Sequence, residues 1–171
     1  MQVITAPDPK LRIQTKRVKK VNPALLKTLK DMVKLTQTFK DPEGVGLAST
    51  QVGMDESFFV AKNKAKFIFV INPKILSFGK RTKKYFEGCL SIPNMWGEVK
   101  RYTNIKVSYQ DKTGKIKTEA LKGVLAWIFQ HEIDHLNGIL FPERVLQQKG
   151  KFYKYTGKDP AGADTFKEIS L

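Results

Sequence analysis

The sequence is poor in cysteine and in long apolar runs. Its single cysteine, Cys89, cannot form a disulfide within the chain. This excludes the small secreted proteins that disulfides hold together and indicates a reducing compartment. The longest apolar runs, such as residues 67–71 and 139–141, are far shorter than the roughly 20 residues that a membrane-spanning helix needs. We therefore predict a soluble protein with no membrane partner and, because the first residues lack an apolar segment, no secretory signal.

Acidic side chains are also scarce, and their scarcity leaves a strong positive charge. The chain has 16 Asp and Glu against 31 Lys and Arg, a net charge of +15. A lysine-rich solvated surface is the simpler explanation of this charge. Attraction to a polyanion such as a nucleic acid is the alternative, and the sequence leaves it open.

The chain is long enough for one domain. With 171 residues, of which 41% are hydrophobic, it can bury a core without disulfides or a structural metal. No internal repeat or Gly/Ser linker divides it. We predict a single domain over residues 1–145. Residues 146–171 are predicted to form a basic, partly disordered C-terminal extension, because lysine recurs there together with glycine and proline.

Two segments have the periodicity of helices. Asn22, followed by proline, is a typical helix start, and apolar residues recur at helical spacing from there to about Phe39. Residues 124–136 are apolar on nearly all sides and end at Asn137 and Gly138, a typical C-terminal cap. We therefore predict that this second helix is buried.

The remaining segments predict loops and strands. Residues 41–53 contain proline and three glycines, which indicates a loop with turns. Six runs rich in β-branched and aromatic residues predict strands, at residues 57–61, 67–72, 83–86, 99–102, 105–110 and 115–121. The predicted fold class is α+β, with mostly antiparallel β-sheets wrapped around a central buried helix that carries an HExxH motif.

That motif contains the only two histidines of the sequence, His131 and His135. Residues four apart lie on the same face of a helix, so both imidazoles can bind one metal ion. Ordinary packed histidines are the alternative, but two buried imidazoles would need several hydrogen-bond partners. A catalytic metal site needs a third ligand and an open position, and the candidates are Cys89 or a carboxylate.

Three motifs resemble, in order and spacing, the signature motifs of the peptide deformylases. They are GVGLASTQ at Gly44 to Gln51, EGCLS at Glu87 to Ser91 and HEIDHLNG at His131 to Gly138. The opening at residues 7–12 is similar to the usual start of the mature domain, and the resemblance extends from residue 2 to about 145. It implies a metal-dependent hydrolase that removes the formyl group from the initiator methionine of nascent polypeptides and releases formate.

The resemblance also implies a set of metal ligands, namely Cys89, His131 and His135. The thiolate is a soft ligand, so such a site can hold Fe2+ as well as Zn2+. The family favours ferrous iron, with Zn2+, Ni2+ or Co2+ as alternatives. An iron–thiolate site is open to oxidation, which suits a bacterial-type cytoplasm, with an organelle as the alternative location.

Further roles follow from the same resemblance. Glu132 is expected to act as general base, and the Gln51 side-chain amide and the Leu90 backbone N–H are expected to stabilise the oxyanion. Substrate is expected to add as a strand along the backbone of residues 44–48, which includes Gly44, Val45, Gly46 and Leu47. The methionine pocket is expected to be lined by Val45, the Glu87 stem, Val124, Trp127, Ile128 and His131.

This sequence departs from the family's usual pattern at two tryptophans. Trp127 replaces an aliphatic residue or arginine, and Trp96 replaces an arginine that holds the substrate backbone in many members. These changes bear on the shape of the substrate groove and leave the metal ligands untouched. Arg101 and Asp134 are also predicted to form an ion pair behind the metal site, with two solvated charges as the alternative.

The expected partners are N-formylmethionyl nascent peptides and, through the basic surface, the ribosome, by its RNA or its exit-tunnel proteins. Two other functions stay open. A small HExxH zinc peptidase would use the same helix, but such enzymes generally take a distal histidine or carboxylate as third ligand. A nonenzymatic ribosome- or RNA-associated protein with a vestigial metal site would have no need for both Glu132 and Gln51.

Overall fold

The computed structural model describes residues 1–40 and 43–170 and has the predicted α+β class. The described part contains three α-helices: α1 (Pro23–Thr38), α2 (Gly123–Leu136) and α3 (Phe141–Gln147). It also contains nine strands: β1 (Gly46–Ala48), β2 (Phe58–Asn63), β3 (Lys66–Phe78), β4 (Thr82–Cys89), β5 (Ile92–Tyr102), β6 (Asn104–Gln110), β7 (Ile116–Lys122), β8 (Phe152–Lys158) and β9 (Asp164–Ile169). No described helix is both long and apolar enough to cross a membrane.

The strands form two antiparallel sheets. The first has five strands in the order β1-β2-β3-β6-β7, and the second has four in the order β4-β5-β8-β9. Strand β1 therefore lies at an edge of the first sheet and pairs with β2 alone among the described strands. Strand β4, which ends at Cys89, lies at an edge of the second sheet.

Helix α2 is buried, as the sequence predicts, and carries the HExxH motif. Its Phe129 is fully buried and packs edge-on against Phe59 of β2, with ring centroids 5.0 Å apart. A second group of buried residues joins Leu29 and Met32 of α1 to Leu47 of β1. Strand β1 is thus held between the two helices, which places its edge beside the HExxH motif.

The predicted loop at 41–53 differs from the structure. Residues Gly46–Ala48 form β1, and Ser49–Val52 form a short 3-10 helix that ends at Gly53 in the left-handed conformation. The hydrophobic pattern does not predict this strand, because three residues are too few to show an alternation of apolar and polar side chains. Asp41 and Pro42, at the start of the predicted loop, lie outside the described residues.

The C-terminal extension also differs from the prediction, because residues that were expected to be partly disordered form β8 and β9. Strand β8 pairs with β5 over Met95 to Gly97, and its Phe152 is buried among apolar residues of β5 and α3. Beyond Phe152, the half-buried Tyr153 and Tyr155 alternate with the exposed Lys154 and Thr156, so these two tyrosines face the packed side and Lys154 faces away from it. Helix α3 spans the boundary predicted at residue 145, and Leu171 lies outside the described residues.

Candidate active site and metal centre

Three potential metal ligands converge where α2 meets the end of β4. The ligand atoms of Cys89, His131 and His135 all lie within 4.8 Å of one another. The Sγ of Cys89 is 3.3 Å from Nε2 of His135, and the two imidazole ring centroids are 5.0 Å apart. Cys89 reaches this point because the β4–β5 ladder shifts its register between Gly88 and Cys89. The structure thus brings together the three residues that sequence analysis named as ligands.

The surroundings of the two imidazoles fit a bound transition-metal ion. The Nδ1 of His131 is 2.9 Å from Oε2 of Glu87, which leaves Nε2 as the nitrogen free to bind an ion. The Nδ1 of His135 is buried and has no hydrogen-bond partner in the described part of the chain, so its Nε2 is the nitrogen turned toward Cys89. One thiolate and two imidazoles are donors that suit Zn2+ and Fe2+.

Glu87 connects His131 to Arg101 and Trp127 by hydrogen bonds. Its carboxylate is fully buried and accepts hydrogen bonds from Arg101 Nε (2.7 Å), Arg101 Nη2 (3.0 Å) and Trp127 Nε1 (2.9 Å). Burial by itself would raise the pKa of Glu87, but the hydrogen bonds from His131 and Arg101 outweigh it and lower the pKa to about 2. Glu87 is therefore ionised at neutral pH and holds the ring of His131 in one orientation.

The expectation that the stem of Glu87 lines the methionine pocket is wrong, because this side chain has no exposed surface. The predicted ion pair of Arg101 with Asp134 is confirmed. Arg101 Nη1 lies 2.5 Å from Oδ2 of Asp134, and both residues are buried. Asp134 also accepts a hydrogen bond from Arg144 Nη2 at 2.6 Å, which ties α3 to the helix that carries the histidines.

Glu132 has the surroundings of a proton-transfer group. It is buried, and its Oε2 has no hydrogen-bond partner among the described residues. Burial, with a further contribution from the charge of Glu87, outweighs the attraction of His131 and raises the pKa of Glu132 to about 7. Gly46 of β1 packs directly against the Glu132 side chain, so an added Cβ at Gly46 would lie 2.8 Å from Glu132 Cδ.

Gln51 is held with its amide group turned toward the metal ligands. Its Oε1 accepts a hydrogen bond from the backbone N–H of Ala48 at 2.9 Å. This leaves Nε2 3.4 Å from the Sγ of Cys89 and 3.1 Å from the Oγ of Ser91. The 3-10 helix Ser49–Val52 provides this geometry, because it folds the Gln51 side chain back onto the end of β1.

A cavity of about 90 Å³ opens onto this group of residues. Its described lining is Glu43, Gly44, Val45, Gly46, Gln51, Gly88, Cys89, Leu90, Trp96, Trp127, Ile128, His131 and Glu132. Gly44, Val45, Gly46, Trp127 and Ile128 therefore lie where the sequence analysis expected them. Glu43 and Gly88 were not predicted, although Gly88 lies inside the EGCLS motif, which is a signal that could have found it.

Besides Glu87, two residues predicted to bind substrate lie outside this lining. Val124 is at the first turn of α2 and is 61% exposed; it lines a neighbouring cavity to which Val45 and Ile128 also contribute. The spacing of seven residues from His131 put it on the same helix face but two turns away, beyond the cavity. The side chain of Leu47 is fully buried in the core against α1, so the backbone of Leu47 is the part that faces the edge of the sheet.

The comparisons with known proteins agree with this geometry. The family model described as polypeptide deformylase matches residues 1–151. The peptide deformylase of Thermotoga maritima is 42% identical over 142 residues, which is 83% of this chain and 85% of that protein. The peptide deformylase of Agrobacterium fabrum is 39% identical over 153 residues, covering 86% of this chain and 88% of that protein.

Solved structures show the same fold. The crystal structure of peptide deformylase from Thermotoga maritima superposes with a TM-score of 0.79 at 40% identity, covering 84% of this chain and 95% of that one. The Synechococcus elongatus peptide deformylase in complex with actinonin gives a TM-score of 0.78 at 36% identity, covering 84% and 78% of the two chains.

These relatives support a deformylase over the zinc peptidase and the nonenzymatic RNA-associated protein that the sequence alone left open. The chain belongs to the polypeptide deformylase family and is a metal-dependent hydrolase that removes the formyl group from the N-formylmethionine of nascent polypeptides and releases formate.

Proposed function

We propose that Cys89, His131 and His135 hold one divalent ion in this chain and that Glu132 is the general base of the hydrolysis. The observation that carries this proposal is the convergence of the three ligand atoms within 4.8 Å in the cavity that Glu132 also lines. When bound, the ion supplies Lewis acidity, which polarises the formyl group and makes water nucleophilic near neutral pH.

Glu132 takes the proton of the attacking water and returns it to the nitrogen of the leaving amine. Two features of the site support this role. The carboxylate has an unpartnered buried oxygen, Oε2, and it lies next to His131 without being one of the three convergent ligands. Gly46 leaves room for the carboxylate because a glycine has no side chain.

When water attacks the formyl carbon, the oxyanion that forms on the formyl oxygen is stabilised by Gln51 Nε2 and by the backbone N–H of Leu90. The hydrogen bond from Ala48 N–H to Gln51 Oε1 supports this role, since it fixes the donor end of the amide beside Cys89. Leu90 lines the same cavity. Loss of one such donor typically costs about 2.7–4 kcal/mol of transition-state stabilisation.

The formylated peptide adds as a strand to the free edge of β1, along the backbone from Gly44 to Leu47. The sheet order supports this, because β1 has β2 on only one side. Main-chain hydrogen bonds to an edge strand do not depend on side chains, which suits an enzyme that acts on many nascent chains. The side chain of the formylmethionine enters the cavity lined by Val45, Trp127 and Ile128.

The native ion in this proposal is Fe2+, with Zn2+, Ni2+ or Co2+ as ions that also fit the donor set. The bacterial relatives and the single cysteine support a bacterial-type cytoplasm, with an organelle as the alternative. The net charge of +15 supports association with ribosomal RNA or the proteins at the exit tunnel, which brings the enzyme close to its substrate.

The test is formate release from formyl-Met-Ala-Ser by protein purified without oxygen, with iron and zinc quantified on the same sample. We expect Cys89→Ser to lose metal and activity together. Glu132→Gln should keep its metal but lose activity by at least about 100-fold. Glu56→Gln, at an exposed carboxylate, is the matched control and should behave as the unmodified protein.

For each residue assignment, one experimental result would contradict it. Glu132→Gln with undiminished activity would remove Glu132 as the base. Cys89→Ser with full metal content would remove Cys89 as a ligand. A fully metallated protein that releases no formate would contradict the proposed arrangement as a whole.

A further inference from the structure

Ser91 contacts the proposed oxyanion donor and has no role of its own in the proposed hydrolysis. It lies in the short turn between Cys89, the last residue of β4, and Ile92, the first residue of β5. It is fully buried, and its Oγ lies 3.1 Å from Nε2 of Gln51. A buried hydroxyl in direct contact with a group that stabilises charge can affect how that group is aimed.

The orientation of the Gln51 amide decides which of its atoms faces Ser91. Its Oε1 accepts a hydrogen bond from the backbone N–H of Ala48 at 2.9 Å, so Nε2 is the atom at the other end. An amide nitrogen carries two N–H donors and accepts no hydrogen bond. The contact is therefore a hydrogen bond in which Gln51 donates and the hydroxyl oxygen of Ser91 accepts.

The second N–H of Gln51 is available to a substrate. The two N–H bonds of a planar amide point in fixed and different directions, so a partner for one of them also sets the direction of the other. Besides Ser91, Nε2 has the Sγ of Cys89 at 3.4 Å. Sulfur is a weak acceptor, so this N–H can be given up to the formyl oxygen of a bound substrate.

The N-terminal segment holds the backbones of Gln51 and Ser91. The N–H of Ile4 donates to the carbonyl of Gln51, and the N–H of Ala6 donates to the carbonyl of Ser91, each at 2.9 Å. Two residues of one segment thus connect the 3-10 helix to the turn between β4 and β5. Loss of the Ser91 hydroxyl should therefore leave both backbones in place and free only the amide.

We propose that Ser91 is a positioning residue of the hydrolysis: its hydroxyl takes one N–H of Gln51 and thereby directs the other toward the formyl oxygen. This inference rests on the proposed function, in which Gln51 is a donor to the oxyanion. Such a donor is effective because it is aligned before the reaction begins. Without Ser91, the amide keeps only its bond from Ala48 and must be aligned in the transition state. The loss should therefore fall on kcat and leave KM almost unchanged.

The experiment measures formate release from formyl-Met-Ala-Ser by zinc-loaded Ser91→Ala, per bound ion. We expect kcat to fall about tenfold, which is the scale for one hydrogen bond, with KM within about twofold of the unmodified value. Ser49→Ala is the matched control. Ser49 is also fully buried, but its hydroxyl donates to the carbonyl of Glu56, so this variant should lower the Tm and keep kcat.

A double-mutant cycle with Gln51→Ala separates positioning from a purely structural role. If Ser91 acts through Gln51, Ser91→Ala costs no further activity once the amide is absent. The proposal is overturned if Ser91→Ala costs the same factor in both backgrounds or if kcat of the single variant is unchanged. It is also overturned if Ser91→Ala raises KM and leaves kcat alone, or if chelator competition shows that weaker metal binding accounts for the lost activity.

The side-chain amide of Gln51 provides a measurement that needs no turnover. Its protons in the 1H–15N spectrum of the zinc-loaded protein are identified by their absence from Gln51→Ala. They should exchange slowly with water in the unmodified protein and about tenfold faster in Ser91→Ala, because one of the two bonds that hold the amide is gone. Ser49→Ala should not change this rate. An unchanged rate in Ser91→Ala would overturn the proposal.

The outcomes for Ser91 and for the proposed function are distinct. Full activity of Gln51→Ala would contradict the role of Gln51 in the proposed function. Loss of activity in Gln51→Ala together with full activity in Ser91→Ala would contradict this inference alone. Faster amide exchange in Ser91→Ala, in a protein whose unmodified form releases no formate, would contradict the proposed function alone.

Discussion

Glu87 Oε2 accepts a hydrogen bond of 2.9 Å from Nδ1 of His131, and this contact links the metal site to the interior of the protein. The same carboxylate also binds Arg101 and Trp127. A carboxylate behind a metal-binding histidine fixes the tautomer and the orientation of the ring. The geometry of the proposed metal site is therefore set by residues that do not touch the ion.

We expect Glu87→Gln to weaken metal binding by roughly 10- to 100-fold, the usual cost of losing such a partner. Both oxygens of the Glu87 carboxylate accept hydrogen bonds, from Arg101, Trp127 and His131. A glutamine has only one acceptor oxygen, so His131 loses its fixed orientation. Competition with a chelator measures the affinity. Glu98→Gln is the matched control, because Glu98 pairs with Lys84 at the surface of the same sheet. Equal affinity in Glu87→Gln and the unmodified protein would show that His131 needs no such support.

The same network predicts a loss of stability when Arg101 is removed. Arg101→Met leaves the buried carboxylates of Glu87 and Asp134 without their shared partner, and breaking a buried pair costs about 3–5 kcal/mol. Arg144→Met is the comparison, because Arg144 binds the same Asp134 from a half-exposed position and should cost less. Urea unfolding of both variants gives the free energies. If both variants lost the same free energy of unfolding, burial would not determine how much each ion pair contributes to stability.

Much of the site could be predicted because it depends on local patterns. Two histidines four residues apart on a helix must lie on the same face, so their convergence follows from the sequence. Helix α2 also begins within one residue of its predicted start. The role of Glu87 was mistaken for a different reason. The motif shows that a carboxylate lies two residues before Cys89, but only the sheet register and the position of Arg101 decide which way it points.

The hairpin β8–β9 could not be predicted from its own sequence, because lysine and glycine suggest disorder. Its order comes from pairing with β5 and from packing of Phe166 on Trp96, which are contacts between residues far apart in the chain. Val124 lies on the predicted helix face but outside the lining of the cavity at the metal ligands. A helix face predicts direction around the axis, but the depth of a cavity along the axis is set by the tertiary structure.

Trp127 is predicted to limit the size of the first residue of the substrate. Its indole lines the cavity of about 90 Å³, stacks on Tyr85 and donates to Glu87 at 2.9 Å. Trp127→Leu should raise kcat/KM for formyl-Phe-Ala-Ser relative to formyl-Met-Ala-Ser by about tenfold, because it enlarges the pocket.

Trp127→Phe is the matched control for this change. It removes the hydrogen bond to Glu87 but keeps most of the ring, so it should change the ratio of the two rates much less than Trp127→Leu does. A ratio that responds equally to both substitutions would mean that the hydrogen bond, and not the volume of the indole, sets the selectivity.

Removal of the metal should lower both activity and stability. A ligand present at 100 times its Kd stabilises the folded state by about 2.7 kcal/mol, so the apoprotein should melt at a lower temperature than the metallated protein. Addition of Fe2+ or Zn2+ without oxygen should restore the Tm and formate release. Cys89→Ser is the control and should show a smaller shift on metal addition. A Tm that does not respond to metal in the unmodified protein would contradict the site.

Gly46→Ala is predicted to impair turnover through Glu132. An added Cβ would lie 2.8 Å from Glu132 Cδ, a separation that real Cβ atoms do not tolerate, so something must move. Strand β1 is held by its pairing of Gly46 with Ala61, and therefore the carboxylate is the group that shifts. A misplacement of about 1 Å at a reacting group can cost roughly 100-fold in rate.

The expected result for Gly46→Ala is thus a kcat lower by about 100-fold with metal content unchanged. A double-mutant cycle with Glu132→Gln tests the cause, since two changes that act through one group are not additive. If Gly46 acts by positioning the carboxylate, the alanine costs nothing further once Glu132 has been replaced. If the alanine costs the same factor in both backgrounds, it acts on the binding edge of β1 instead, and the contact between Gly46 and Glu132 plays no part in catalysis.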